Sequence, residues 1–474
     1  MFSLLNLCVR LLLREISNAT LFASLHQFRK LALLKENISE NLGRLVLAFP
    51  KFITNLGLSR FRKKSQDIKA QYVNDKKHLL VVANEPTPYN IDLFNAFART
   101  PGIKILVFHT KEKSLGNYHD FKKFPDPIYP MYVSSGKSLA SRFICLLKVI
   151  KMIMRPNQII LITGYNSIPF VGAILTCSFL RFPFALWADH FNIGSPEKGG
   201  LPIRLIRDFL RRLIFRNAFA ILTCGKPGIK SALRVGCPVN KLVNFPYVID
   251  FERLKLLQQK KPPIVSEILK RSKGRTNVFY SGQMIPRKGL DTLLKALNNI
   301  ISKGLDSVFL VAEGEGPLRM EYEHMASNLG ISDKCCFVGF RQMDEHACLL
   351  SISDIVVVPS KYDPWGIVVH EGMLMAKPVI ASDGVGSAID RIKHGVNGYI
   401  FTAGDSAQLS HWLRLLLSDR ELRVRIGDAA KYTAKDWSPK RNVNSLLKAI
   451  DLNLDCRIKE KVGYFSNLGN GQNL

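Results

Sequence analysis

Two successive series of short apolar runs constrain this chain most. The first comprises "HLLVVAN", "IKILVFHT", "NQIILITG", "FALWAD" and "AFAILTC", separated by stretches of helical period. Strand-length runs that are apolar on both faces and alternate with helices belong to a parallel sheet covered on both sides. A charged, proline-containing segment, "LLQQKKPPIVSEILKRSKGRT", then leads into "NVFYSG", "DSVFLVAEG", "KCCFVGF", "DIVVVPS", "KPVIAS" and "NGYIFT". The pattern predicts an α/β fold of two Rossmann-like domains facing across a cleft, and a chain of 474 residues is long enough for two cores. Ligands of open α/β sheets bind beyond the carboxyl ends of the strands, so the loops there should carry the chemistry.

The expected divisions are 1–75, a basic amphipathic helical extension; 76–250 and 251–435, the two Rossmann-like domains; and 436–474, a late helix and tail. Residues 1–75 hold 12 basic and 5 acidic residues, with apolar positions at helical spacing in "LFASLHQFRKLALL". Such a segment either lies in a membrane interface or packs on the protein's own body with a solvated face. The chain as a whole carries a formal charge of +29, a field that attracts phosphate esters, acidic lipid or nucleic acid. Known nucleic-acid modules and aromatic-interleaved basic motifs are lacking, so no nucleic-acid partner is expected. Nine scattered cysteines without a C-x-x-C pair read as buried free thiols. The apolar stretch 168–188 approaches membrane-spanning length, but Pro183 divides it into a helix-like "FVGAILTCSFL" and a strand-like "FALWA", a buried helix followed by a buried strand.

Three segments of the second series carry chemistry. In "PSKYDPWGIVVHEG", Asp363 precedes Pro364 and then residues turning apolar at helical spacing, which predicts a helix capped by Asp363 with Pro364 in its first position. The amides of Trp365, Gly366 and Ile367 would then face the cleft as an anion or hydroxyl site. Glu371 would turn a second carboxylate into the same pocket. In "FYSGQMIPRKGLD", Gly282 opens a loop that ends with Arg287 and Lys288, two cations suited to clamp a diphosphate. In "VAEGEGPLRM", Gly314 and Gly316 would let the backbone approach a ligand.

Together these segments resemble the family-4 retaining glycosyltransferases of GT-B fold, densely from about Phe279 to Phe401. The family signature of two acidic residues separated by seven positions, followed by P-V-I-A-S, stands here as Asp363-x7-Glu371 and "KPVIAS". Aspartate replaces the usual glutamate at the first position. The resemblance implies that Asp363 meets the donor sugar, Glu371 the ribose and Lys288 the diphosphate. Gln283 stands where the family places an arginine, so Arg287 is the candidate second cation. In the first domain, "ANEPTPYNIDLFNAFA", "ITGYNSIPF" and "FPFALWADHFN" resemble cleft loops on the acceptor side. They bring in Tyr89, Asn166 and His190, the last beside the transferred sugar unless a one-residue shift puts Asp189 there. "NFPYVIDFERL" resembles the hinge, with Asp250 near its end, and "AKDWSPKRNVNSLLKAI" a helix crossing back onto the first domain.

The implied reaction is retaining transfer of a hexosyl-type group from a nucleotide-diphosphate sugar to a glycan or lipid-linked acceptor, in surface polysaccharide or glycolipid synthesis. No cofactor beyond that co-substrate is expected, and with no D-x-D motif no metal. The alternatives are a nucleotide-sugar epimerase of the same fold and an inactive membrane-associated relative. Arg204, Arg207 and Arg211, at helical spacing in "LPIRLIRDFLRRLIFRN", would with the extension dock the protein on the anionic cytoplasmic face of a membrane.

Overall fold

The computed structural model describes residues 77–84, 86–110, 130–132, 139–155, 158–191, 201–260 and 262–452. The extension 1–75 and the tail beyond 452 lie outside them.

The first lobe holds seven strands: β1 (Lys77–Ala83), β2 (Ile103–His109), β3 (Pro130–Tyr132), β4 (Gln158–Ile162), β5 (Phe184–Ala188), β6 (Ala220–Thr223) and β7 (Leu242–Asn244). Between them run α1 (Pro88–Ala98), α2 (Leu139–Ile153), α3 (Ile168–Leu180), α4 (Leu201–Asn217) and α5 (Gly225–Arg234). All neighbours pair parallel, in the order β3-β2-β1-β4-β5-β6-β7. The central strands are buried on both faces, as in Leu80, Val81, Ile160 and Leu161, which is why they read as continuous apolar runs. The short edge strands β3 and β7 were not among the runs read from the sequence.

One face of this sheet is covered by α2 and α3. Helix α3 is apolar all round and buried along nearly its whole length. Gly172 admits α2: a Cβ there would stand 1.9 Å from Leu146 Cδ1. At 13 residues α3 is too short to span a bilayer, and no helix among the described residues is long and apolar enough to do so.

The second lobe contains β8 (Thr276–Ser281), β9 (Val308–Glu313), β10 (Cys335–Gly339), β11 (Ile355–Val358), β12 (Val379–Ser382) and β13 (Tyr399–Phe401), again all parallel, in the order β10-β9-β8-β11-β12-β13. Its helices are α6 (Phe251–Leu257), α7 (Pro263–Ser272), α8 (Leu290–Ile301), α9 (Arg319–Asn328), α10 (Met343–Ser351), α11 (Val368–Leu374), α12 (Gly386–Arg391), α13 (Ser406–Ser418) and α14 (Arg420–Lys435). A last helix over 439–452 returns to the first lobe. Its Val443, Leu446 and Ile450 join Leu79, Phe94 and Trp187 in the core on the other face of the first sheet.

The lobes meet at a polar hinge. Asp250 caps α6 by accepting from the amides of Glu252 and Arg253. Its own amide donates to Asp92 Oδ2 at 2.9 Å, and Asp92 is ion-paired with Arg253. Asn442 donates to the Pro246 carbonyl at 2.6 Å. Seven described cysteines are buried free thiols.

Candidate functional site

Each sheet has one place where chain order reverses, between β1 and β4 in the first lobe and between β8 and β11 in the second. Loops leaving adjacent strands there diverge to opposite faces and open a crevice. A cavity of about 520 Å³ lies against the first crevice. Asn84, Thr87 and Tyr89 reach it after β1; Thr163, Gly164, Tyr165 and Asn166 after β4; Asp189 and His190 after β5; and Arg207 from α4. Tyr362 and Pro364 of the second lobe close its other side.

Beside that wall, at the second crevice, Lys288 and Asp363 come together. Lys288 ends a single 3-10 turn, Pro286–Lys288, in the loop after β8, and Asp363 sits in the loop after β11. The ammonium lies 2.5 Å from Asp363 Oδ2, with both side chains largely buried. Arg287 is exposed next to them; its guanidinium donates to the Tyr362 carbonyl at 3.3 Å, and its own carbonyl accepts from the amides of Lys361 and Tyr362. The Lys288 stem passes Gly282, whose added Cβ would stand 3.6 Å from Lys288 Cδ.

The local backbone around Asp363 differs from the expected cap. Asp363 is held in a bridge to Val385, its amide donating to the Gly384 carbonyl and its carbonyl accepting from Gly386. Its Oδ1 still accepts from the Trp365 amide at 3.3 Å. Gly366 then takes a left-handed φ of +80°, and α11 begins only at Val368, after Ile367. Pro364, Trp365 and Gly366 are thus a turn between carboxylate and helix, and the Trp365 side chain is turned away into the lobe junction. Its indole N–H donates to the Tyr247 carbonyl at 3.0 Å, and its ring lies against the Arg391 guanidinium.

Glu371, on α11, is buried and directed to His346 of α10 rather than to Asp363: His346 Nε2 faces Glu371 Oε2 at 3.4 Å, within ion-pair range but off hydrogen-bond alignment. The other nitrogen, Nδ1, lies 2.7 Å from Glu313 Oε2 at the end of β9. Burial alone would lower the His346 pKa, but the two carboxylates outweigh it and hold the imidazole well above its ordinary value. This buried Glu313–His346–Glu371 row was not anticipated. Its one sequence signal was a carboxylate ending an otherwise apolar strand.

The glycines serve packing between loops. A Cβ on Gly314, at φ +130°, would lie 1.9 Å from the Gly282 carbonyl oxygen, and one on Gly316 would lie 2.5 Å from the Met284 carbonyl oxygen. The loops after β8 and β9 lie backbone against backbone at Gly314 and Gly316.

On the first lobe, Tyr89 packs on Tyr247 at 4.5 Å between ring centroids, and Asn166 is exposed at the cavity. Asp189 and His190 both line it. Asp189 Oδ1 accepts from the Tyr247 hydroxyl at 2.6 Å and from Cys224 Sγ at 3.7 Å. Burial raises the Asp189 pKa; Tyr247, His190 and Cys224 oppose this, while the Asp363 charge across the cleft adds to it. Burial lowers that of His190, with Asp189 acting against it.

Residues 263–433 match the family model for glycosyl transferases group 1. The group 1 region therefore contains the whole second sheet, with Lys288, Asp363 and Glu371. Among curated relatives, the chain is 30% identical over 165 residues to the alpha-D-kanosaminyltransferase of Streptomyces kanamyceticus, covering 34% of this chain and 42% of that one. It is 26% identical over 258 residues to the lipopolysaccharide core biosynthesis glycosyltransferase LpsE of Rhizobium meliloti, covering 52% and 68%. The matches span 42%, 45% and 47% of three relatives, less than half of each. Anabaena HepE, solved with UDP-glucose, superposes with a TM-score of 0.62 at 18% identity over 78% of this chain and 99% of that one. WaaG, described as a glycosyltransferase involved in lipopolysaccharide biosynthesis, superposes with a TM-score of 0.57 at 16% identity, over 77% and 98%. The group 1 region and its companion lobe thus share the GT-B fold.

Proposed function

We propose that this chain is a retaining glycosyltransferase, moving a hexosyl-type group from a nucleotide-diphosphate sugar to a glycan or lipid-linked acceptor. The observation that carries the reading is the Lys288–Asp363 pair at the topological switch point of the group 1 region, beside a cavity walled by the first lobe. The donor is placed against the second lobe, where Lys288 and Asp363 lie, and HepE, of like fold, is solved with UDP-glucose. Lys288, seconded by Arg287, meets the diphosphate and stabilises the charge that grows on it as the glycosidic bond breaks. Asp363 accepts a sugar hydroxyl. The acceptor enters from the Tyr89, Asn166 and Asp189–His190 side, and its hydroxyl attacks the face the diphosphate leaves, so no protein nucleophile is required. Asp189, with its carboxyl fixed by Tyr247, joins His190 as the group nearest the transferred sugar.

No metal takes part in this scheme, because fixed cations occupy the leaving-group side. Membrane attachment rests on the basic extension outside the described residues. The experiment is incubation of the purified chain with a panel of nucleotide-diphosphate sugars, with and without acceptor glycans. Transfer with retained anomeric configuration is the expected result. Isomerised donor formed without acceptor would indicate an epimerase, and no donor consumed from any member of the panel would overturn the reading.

A further inference from the structure

Of the helix α4 arginines read from the sequence, the Arg204 side chain lies outside the described residues, and Arg207 and Arg211 do not form an exposed stripe. Arg207 lines the cleft cavity, and Arg211, one turn further on, is only 8% exposed, with its guanidinium donating to Asp208 at 3.2 Å. Among the described positions of that helix, Asp208, Phe209, Arg212 and Arg216 face outward. Both guanidiniums bear on Tyr165, a cavity residue whose phenol is raised by burial and lowered by Arg211 and Arg207. Among the described residues no carboxylate forms an ion pair with Arg207. Among the described residues Asp189 is the one carboxylate lining the cavity, and it is committed to Tyr247. A guanidinium fork in a half-enclosed wall matches an oxyanion bidentately, and a neutral ligand would leave it desolvated without a partner.

Resting on the glycosyl-transfer reading, we propose that the acceptor carries an oxyanion, received by Arg207 with Arg211 behind it, next to the hydroxyl that is glycosylated. The chain would discriminate acceptors by charge as well as by sugar, and neutral glycans would be poor substrates.

The test uses the purified full chain with its best donor's nucleoside diphosphate at saturation, so that probes read the acceptor side alone. Octyl glucoside, octyl glucoside 6-phosphate and octyl glucuronide are titrated while intrinsic tryptophan fluorescence, to which the cavity residue Trp187 contributes, is followed in wild type, Arg207→Gln, Arg207→Lys and Arg212→Gln. A charged probe should bind about tenfold or more tighter than octyl glucoside. The phosphate and carboxylate arms tell which oxyanion is preferred. Arg207→Gln should bring the ratio near one and Arg207→Lys should lie between, while Arg212→Gln, which changes the bulk field equally, should keep it. Equal affinities in wild type, no binding of either charged probe, or a ratio that survives Arg207→Gln would overturn the proposal. Donor hydrolysis by the wild type, measured in parallel, separates this failure from failure of the glycosyltransferase reading.

Discussion

His346 Nδ1 lies 2.7 Å from Glu313 Oε2, and the opposite nitrogen of the same ring faces Glu371, so one buried imidazole joins the end of β9 to the helix that carries the second acid of the signature. Protonated His346 offsets two carboxylates that would otherwise face each other in a dry interior. Replacing it by Gln removes that charge and should cost about 3 kcal/mol. The folded pKa stands above the unfolded value, so the stabilisation is complete below the unfolded pKa of about 6.5 and is lost as pH rises towards the folded one. Urea titrations between pH 6 and 9 should show a decline in the wild type attributable to this group and a flatter profile in His346→Gln. Parallel profiles of the two proteins would refute it.

Gly314 tests the loop contact. Alanine there would place Cβ 1.9 Å from the Gly282 carbonyl oxygen at a φ of +130°, so the two loops must part. Thermal melts should show Gly314→Ala destabilised by about 2 kcal/mol or more, since contact and strain add. Gly236, at φ +83° with nothing within 4 Å, is the control, and Gly236→Ala should cost about 1 kcal/mol.

Asp189 and His190 both reach the cavity, but only Asp189 is fixed there by a short bond from Tyr247. Asp189→Asn should lower kcat about 10²-fold or more, His190→Asn less, and Tyr247→Phe about tenfold through loss of orientation. If steady-state kinetics ranked His190 above Asp189, the first-lobe assignment would be reversed.

In the proposed reaction Lys288 and Arg287 would meet the diphosphate and make a divalent ion redundant. Transfer should change less than about twofold after EDTA treatment and dialysis, and added Mg²⁺ or Mn²⁺ should not rescue a Lys288→Ala variant. Restoration of the variant by metal would contradict that role for Lys288.

The central strands were legible because burial on both faces writes itself as unbroken apolar runs, as in "HLLVVAN" and "DSVFLVAEG". The edge strands β3 and β7 were not: three residues each, one opening on Pro130, carry too little pattern. The signature spacing marked Asp363 and the loop "FYSGQMIPRKGLD" marked Lys288, and their loops leave the neighbouring strands β11 and β8. Spacing could not show that a left-handed Gly366 delays the helix to Val368, because Asp-Pro reads as a cap wherever it precedes apolar periodicity. His346 and Glu313 stand 33 positions apart and meet only through tertiary packing, so neither announced the other.

The most direct measurement is donor turnover and donor affinity in Lys288→Ala and Asp363→Asn, on protein shown by circular dichroism to be folded. The account predicts that Lys288→Ala loses about 10²–10³-fold in kcat/KM and that Asp363→Asn is impaired with the same donor. Wild-type turnover and affinity in both variants would contradict it.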